Sequence, residues 1–177
     1  MQAQNSFFSI CPSPKSYKLT MHKIVYFAFK YFSNKTGLTY NIPADKALEH
    51  VYGYGVGLDM TRRDLQGEAK KMGRPWDTGK AFDQSAPCAA ITPAAQFGHP
   101  NKGVVKLLVN GEVRQEGNLN QLIWNIPDTI AYLSTLFTLE PGDLIMSGTP
   151  AGVGPVKKGD VLEGSVEGLT PLKIKIV

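Results

Sequence analysis

The stretch Val51 to Gln66, VYGYGVGLDMTRRDLQ, changes its period half-way, and that change points to the fold class. Up to Asp59, glycine alternates with larger residues, as in a strand whose backbone is closely approached by another segment. From there the period becomes helical. Thr61 suits an N-cap, with Asp64 three residues on. Arg62 to Met72 then carries Leu65, Ala69 and Met72 on one face until Gly73 stops the helix. The strand therefore delivers Asp59 at its end, and Arg63 and Gln66, four and three residues further along, point toward the same side of the helix entrance. A carboxylate, a guanidinium and an amide converging there could hold a cation and an anionic oxygen. A structural Asp59–Arg63 ion pair at i,i+4 accounts for the same spacing, and spacing alone does not separate the two.

Outward from this stretch the elements are short. Ala44 to His50 predicts a short helix. Val104 to Arg114, VVKLLVNGEVR, predicts a hairpin turning at Asn110-Gly111, a pair that tolerates the positive φ of a type I′ turn. Asn118 to Ile123 reads as one helical turn. Pro127, a first-turn residue, opens a helix over Asp128 to Phe137 with Ile130, Leu133, Leu136 and Phe137 on its apolar side. Glu140 to Asp143 is a turn, followed by strands at Leu144–Ser147, Val161–Val166 and Leu172–Val177. With no regular βαβ alternation, the class is α+β, with a mixed, largely antiparallel sheet and a few short helices. Met1 to Asn34 differs: it is rich in Phe and Tyr but weakly periodic. Residues 1–34 therefore read as an atypical, irregular or weakly ordered segment, and 35–177 as the domain proper.

The 177 residues, 42% hydrophobic, suffice for one ordinary domain and core. No apolar run is long enough for a membrane-spanning helix, so no membrane partner is expected. The formal charge of +4 is not gathered into a patch, because Arg62-Arg63, Lys70-Lys71 and Lys157-Lys158 each sit beside acids, which argues against nucleic acid as a partner. Two cysteines, Cys11 and Cys88, without a convincing export signal, make a disulfide framework unexpected and a reducing cytoplasm the default.

Lys80 lies in a turn-rich segment, either as a solvated loop lysine or as a buried cationic donor. Ser147 to Pro155, SGTPAGVGP, offers glycines that let backbone amides approach a ligand, and Thr149 adds a hydroxyl; a plain inter-strand turn explains the stretch equally well. It has neither the Gly-Lys-Ser/Thr of a Walker loop nor the register of a dinucleotide fingerprint. His22, His50 and His99 lack zinc-ligand spacing, and Ser85 and Cys88 lack a nearby base for hydrolase chemistry. Cys88 reads as a small core residue.

Three stretches in order, GYGVGLDMTRRDLQ (53–66), PWDTGKAFDQSAP (75–87) and GDLIMSGTPAGVGP (142–155), closely resemble the fumarylacetoacetate hydrolase family. The resemblance runs from about Asn41 to Val177 and is nearest to its fumarylpyruvate and acylpyruvate hydrolases. It implies a β-roll of the family's C-terminal-domain type and a homodimer. It also implies hydrolytic cleavage of a carbon–carbon bond in a small 1,3-diketo acid, with Mg²⁺ or Mn²⁺. By that resemblance Asp59 matches the aspartate metal ligand. Arg63, Gln66 and Lys80 match the groups that bind substrate oxygens and stabilise developing negative charge, and Thr149 matches the contact to the substrate carboxylate. Such fixed positive charge is what an enolate leaving group requires.

One departure stands out. The family places a His-x-Glu-x-Glu segment before the matching part, supplying two of three carboxylate metal ligands, and a His and Glu further upstream that activate water. None of these is present, and Met1 to Asn34 contains no aspartate or glutamate. The metal site is therefore expected to be incomplete and turnover to be very weak or absent. A truncated or frameshifted product accounts for this, as does a variant retained as a non-catalytic carboxylate-binding or structural module. The first is preferred, because the charge-stabilising residues are kept.

Overall fold

The computed structural model describes residues 8–10, 19–30 and 40–177. Among them two sheets form. The first runs in the order β1 (Phe8–Ile10), β10 (Leu172–Ile176), β9 (Val161–Val166), β5 (Val104–Val109), β6 (Glu112–Asn118). The second runs β4 (Thr92–Pro93), β3 (Val51–Arg62), β2 (Leu19–Lys30), β7 (Leu144–Met146), with β8 (Gly154–Pro155) also pairing β2. Every pairing is antiparallel except β1 with β10, so the α+β class with a mixed, largely antiparallel sheet is what the chain adopts. Among the described residues no helix is long and apolar enough to cross a membrane.

Alternation in β5, β9 and β10 turns Val105, Leu107, Leu162, Ile174 and their neighbours into the core, the two-residue period of a half-buried strand. β3 is different. Tyr54, Val56, Leu58 and Met60 are buried together with the glycines between them, because both its edges are paired. β2 lies along one edge and the segment 85–89 along the other, held by Leu58 N–H to the Pro87 carbonyl (3.0 Å), Met60 N–H to Ser85 (2.8 Å) and Ala89 N–H to Val56 (2.8 Å). At Gly53 the close approach is made by β4: a Cβ there would come within 2.4 Å of the Thr92 carbonyl oxygen.

The Asn110-Gly111 turn forms as expected, with φ of 53° and 84°. Ala44–His50 is a 3-10 helix, and Leu119–Gln121 a 3-10 turn with a capping box between Asn118 and Gln121. Four α-helical segments complete the described part: α1 (Arg63–Lys71), α2 (Asp77–Lys80), α3 (Ala94–Phe97) and α4 (Ile126–Leu136).

Three expectations are corrected. Leu19–Lys30, within the stretch read as irregular, forms a 12-residue strand; it is specified by partners on both edges, β3 on one and β7 and β8 on the other, rather than by its own periodicity. The rest of that stretch, residues 1–7, 11–18 and 31–34, lies outside the described residues. Thr61 is not an N-cap: β3 continues through it to Arg62, and α1 begins at Arg63 with no side-chain cap. On α4 the buried positions are Ile126, Ile130 and Ser134, a stripe of fourth residues. Leu136 and Phe137, expected inward, lie at the helix end and are exposed.

Candidate active site

β3 ends in Leu58-Asp59-Met60-Thr61-Arg62, and alternation there puts Asp59 and Thr61 on the same face. Lys80 comes over that face because segment 85–89 is stitched to β3 and because the Arg62 guanidinium stacks on the Phe82 ring, 4.2 Å from its centroid. The Lys80 ammonium forms a short ion pair with Asp59 Oδ1 and donates to Thr61 Oγ1 at 2.9 Å. The two charged side chains are 27% and 17% exposed, so solvent screens the pair only partly and still reaches it. Lys80 therefore lies between the two alternatives, half-buried and on a helical turn rather than a loop.

α1 carries the next two residues. Arg63 Nη1 donates to Gln66 Oε1 at 2.8 Å, which fixes an exposed guanidinium against a buried amide. α2 rests on α1 at this point: a Cβ on Gly79 would come within 2.9 Å of Gln66 N, so the contact between the two helices requires glycine. Asp59 takes its ion pair from Lys80, not from the i,i+4 partner that spacing suggested.

Thr149 stands on the other flank of β2. Met146 pairs with Phe27 and Gly154 with Met21, so residues 147–153 pass beside the Met21–Phe27 part of β2. Asp59 pairs with Lys23 across the opposite edge of the same part. The middle of this loop rests on β6: a Cβ on Gly117 would come within 2.8 Å of Pro150. Thr149 Oγ1 accepts from Gln115 Nε2 at 3.0 Å, and the same amide donates to the Pro150 carbonyl at 2.7 Å. The Thr149 hydroxyl proton is thereby left for an acceptor oxygen.

Thr61 and Gln115 bond to candidate site residues, Lys80 and Thr149, and the sequence reading did not single them out for the site. Thr61 was assigned to a helix cap, and Gln115 lies one residue beyond the predicted hairpin. Gln115 is 1% exposed in mid-strand, a burial that its sequence neighbours do not signal. His50 is buried, consistent with a packing role. Cys88 is half-buried, its thiol pushed up by burial.

The sequence model of a family described as "Fumarylacetoacetate (FAA) hydrolase C-terminal" matches residues 36–177. The chain belongs to the fumarylacetoacetate hydrolase family. It is 47% identical over 137 residues to a fumarylpyruvate hydrolase of Ralstonia sp, covering 77% of this chain and 71% of that one. It is 45% identical over 135 residues to a mitochondrial oxaloacetate tautomerase of Homo sapiens, 76% of this chain and 61% of that one, so it spans about three-fifths of the tautomerase's length. Among solved structures, fumarylpyruvate hydrolase from Pseudomonas aeruginosa in complex with Mn²⁺ and pyruvate superposes with a TM-score of 0.90 at 43% identity, over 97% of this chain and 71% of that one. Family membership and fold stand on these matches. Hydrolases and tautomerases both occur among the relatives.

The donors of this chain do not fit a hard divalent cation at Asp59. Such ions collect six or more oxygen ligands, commonly from several carboxylates. Here the Asp59 carboxylate holds an ammonium instead, and no group of three His, Cys, Asp or Glu exists among the described residues. The neighbouring strand offers no more, since residues 1–44 contain five lysines and no acid.

Proposed function

We propose that the Asp59–Lys80 site binds the oxygens of a small 2-oxo or 1,3-diketo acid of the acylpyruvate class, with positive charge supplied by Lys80 and Arg63. The observation that carries this reading is the Lys80 ammonium held at a strand end by Asp59 and Thr61, with the Arg63–Gln66 pair on the helix that follows. Lys80 and Arg63 stabilise enolate charge on the ligand's oxygens, Gln66 fixes the guanidinium, and Thr149 donates its proton to the carboxylate. Asp59 holds Lys80 in place.

Hydrolytic cleavage also needs a base to activate water, and the strand beside Asp59 brings no carboxylate. Hydrolysis by these 177 residues is therefore proposed to be far below that of complete relatives. A second reading is keto–enol tautomerisation of the same class of acid. The Asp59–Lys80 pair favours it, because a proton donor and acceptor already in contact suffice for enolisation and no water need attack. Association as a homodimer is proposed from the family alone.

Thermal unfolding with oxalate, a small mimic of the pyruvate enolate, tests the reading, since a ligand bound only by the folded state raises its midpoint. Oxalate alone is expected to raise it, with no further gain from Mn²⁺. Asp59→Asn, which frees Lys80 from its counter-charge, is expected to strengthen oxalate binding about tenfold, the scale of a desolvated charge contact. A shift that requires Mn²⁺ and oxalate together, or that disappears in Asp59→Asn, would show that a metal site survives and would overturn it.

A further inference from the structure

On the Thr149 flank of β2 lies a cavity of about 470 Å³, within the range of small-molecule sites. One part of its wall is apolar: Trp124 and Tyr132 meet edge to face, ring centroids 5.2 Å apart at 66°, beside Leu122, Leu133 and Met146. The other part is polar, yet no described residue that lines the cavity carries a formal charge.

The polar part is gathered at Gly117. A Cβ there would come within 2.8 Å of Pro150 Cγ and 3.1 Å of Gln121 Oε1, so the Thr149-Pro150 segment and the Gln121 amide meet over one glycine, with Asn118 next in the chain. Asn118, Gln121 and Thr149 all line the cavity, and in each the side-chain oxygen already accepts from the chain itself. Asn118 Oδ1 accepts from Gly103 N and Asn120 N, each at 3.2 Å. Gln121 Oε1 accepts from Asn118 N at 2.7 Å, and Thr149 Oγ1 from Gln115 Nε2 at 3.0 Å. Those bonds fix which atoms are left to a ligand. The amide nitrogens of Asn118 and Gln121 are donors only, and the Thr149 hydroxyl keeps its proton. Thr129 is the opposite case: its hydroxyl donates to the Asn125 carbonyl at 2.8 Å, and it stands on α4 with Tyr132 and Leu133, on the apolar wall.

We infer that this cavity is a carboxylate site made of uncharged donors, Asn118 Nδ2, Gln121 Nε2 and Thr149 Oγ1, and that it takes a small acid whose apolar body, an arene or conjugated alkene, lies against Trp124 and Tyr132. A carboxylate only accepts, so it suits all three donors, and hydrogen bonds to an ionised acceptor are about twice as strong as neutral ones. Those bonds offset the cost of taking the charge out of water. A primary amide or an ammonium brings N–H groups to the same atoms and leaves donors facing donors. The arene gains the face and edge contacts of the two rings. The inference rests on the reading of Thr149 as a carboxylate contact, to which it adds Asn118 and Gln121, and it requires no contact with Lys80.

The experiment is calorimetric titration of the full chain with trans-cinnamate and with cinnamamide, which share a body and differ at the polar end. Gln121→Glu keeps an acceptor for Asn118 N and exchanges the donor for a negatively charged oxygen. Gln121 is exposed, and an unchanged thermal midpoint verifies the fold. Cinnamate is expected to bind about tenfold more tightly than the amide, the scale of charge-assisted bonds. Gln121→Glu is expected to reverse that order, Thr149→Val to narrow it, and Lys80→Met to leave it as it is. Equal or tighter binding of the amide, an order that survives Gln121→Glu, or no binding of either compound would overturn the inference. So would loss of cinnamate binding in Lys80→Met, which would move the acid to the charged flank. If Gln121→Glu lowers the midpoint, Thr149→Val decides instead, and an unchanged ratio there overturns the inference. Oxalate, titrated beside them, separates the two readings. Oxalate bound without cinnamate strikes the cavity site alone, and cinnamate bound without oxalate strikes the Asp59–Lys80 site alone.

Discussion

On the β3 side of β2, Asp59, Arg63 and Lys80 bring three formal charges to a strand end and the two helices packed on it. On the β7 side, no described residue that lines the cavity of about 470 Å³ beside Thr149 carries a charge. The two flanks are also held differently. The charged one is fixed by side chains: Lys80 on Asp59 and Thr61, Arg63 on Gln66, Arg62 on Phe82. The uncharged one is fixed largely by backbone, through β7 and β8 on β2 and through Gln115 reaching across to Thr149 and Pro150. A charged and an uncharged surface thus lie on opposite edges of one strand, and each is open to change by itself.

The largest expected effect comes from breaking the backbone-held flank. Gly152 has φ of +103°, and a Cβ there would come within 1.9 Å of the Arg114 carbonyl oxygen, in the strand that carries Gln115. Gly152→Ala combines left-handed strain with an impossible contact and is expected to cost roughly 3 kcal/mol. Gly79→Ala, the matching change on the charged flank, meets Gln66 N at 2.9 Å without positive φ and is expected to cost roughly half as much. Urea unfolding of both variants checks the order. A Gly79→Ala loss equal to or larger than that of Gly152→Ala would mean that the flanks are anchored alike.

That asymmetry also explains what the sequence disclosed. The Asn110-Gly111 hairpin, the capped turn at Asn118 and the helix opened by Pro127 rest on neighbours within a few residues, and all are found near the predicted bounds. Lys80 could be named as a candidate, yet its partner could not. Its position depends on residues 85–89 bonding to β3, a pairing with no local signature. Thr61 satisfied the pattern of a cap, but a paired strand edge kept it extended, and the lysine took its hydroxyl instead. The cavity was not legible at all, because Trp124, Tyr132 and Met146 belong to three separate elements joined only by packing.

Lys80→Met sharpens the contrast from the charged side. It removes the cation and leaves Asp59, 17% exposed, without its ion pair, at an expected cost of about 1 to 2 kcal/mol in stability and at least tenfold in oxalate affinity. Asp59→Asn combined with Lys80→Met is expected to recover most of the stability but none of the affinity, because only the unpaired charge has been relieved. Denaturant midpoints and oxalate titrations on the single and double variants separate the two losses. Full affinity in the double variant would transfer the anion contact to Arg63 alone.

The smallest effect is acid sensitivity of the uncharged flank. Asp160 closes the connection that begins with the glycine-rich loop: it is buried, accepts Asn110 Nδ2 at 2.9 Å and Lys157 N at 2.8 Å, and so ties the end of that connection to the hairpin turn. Burial by itself would raise its carboxyl. The hydrogen bonds from Asn110 and Lys157 N, with the charges of Lys157 and Arg114, outweigh burial and hold it below its ordinary value. The unfolded chain therefore binds this proton first as pH falls. The stabilisation is whole above the unfolded value of about 3.9 and is lost as pH drops through the lower folded value. Unfolding free energies from pH 6 to pH 2 for the protein and for Asp160→Asn should accordingly converge at the acid end. A gap that stays constant over that range would show that Asp160 acts through shape rather than charge, and would leave the uncharged flank without a titrating anchor.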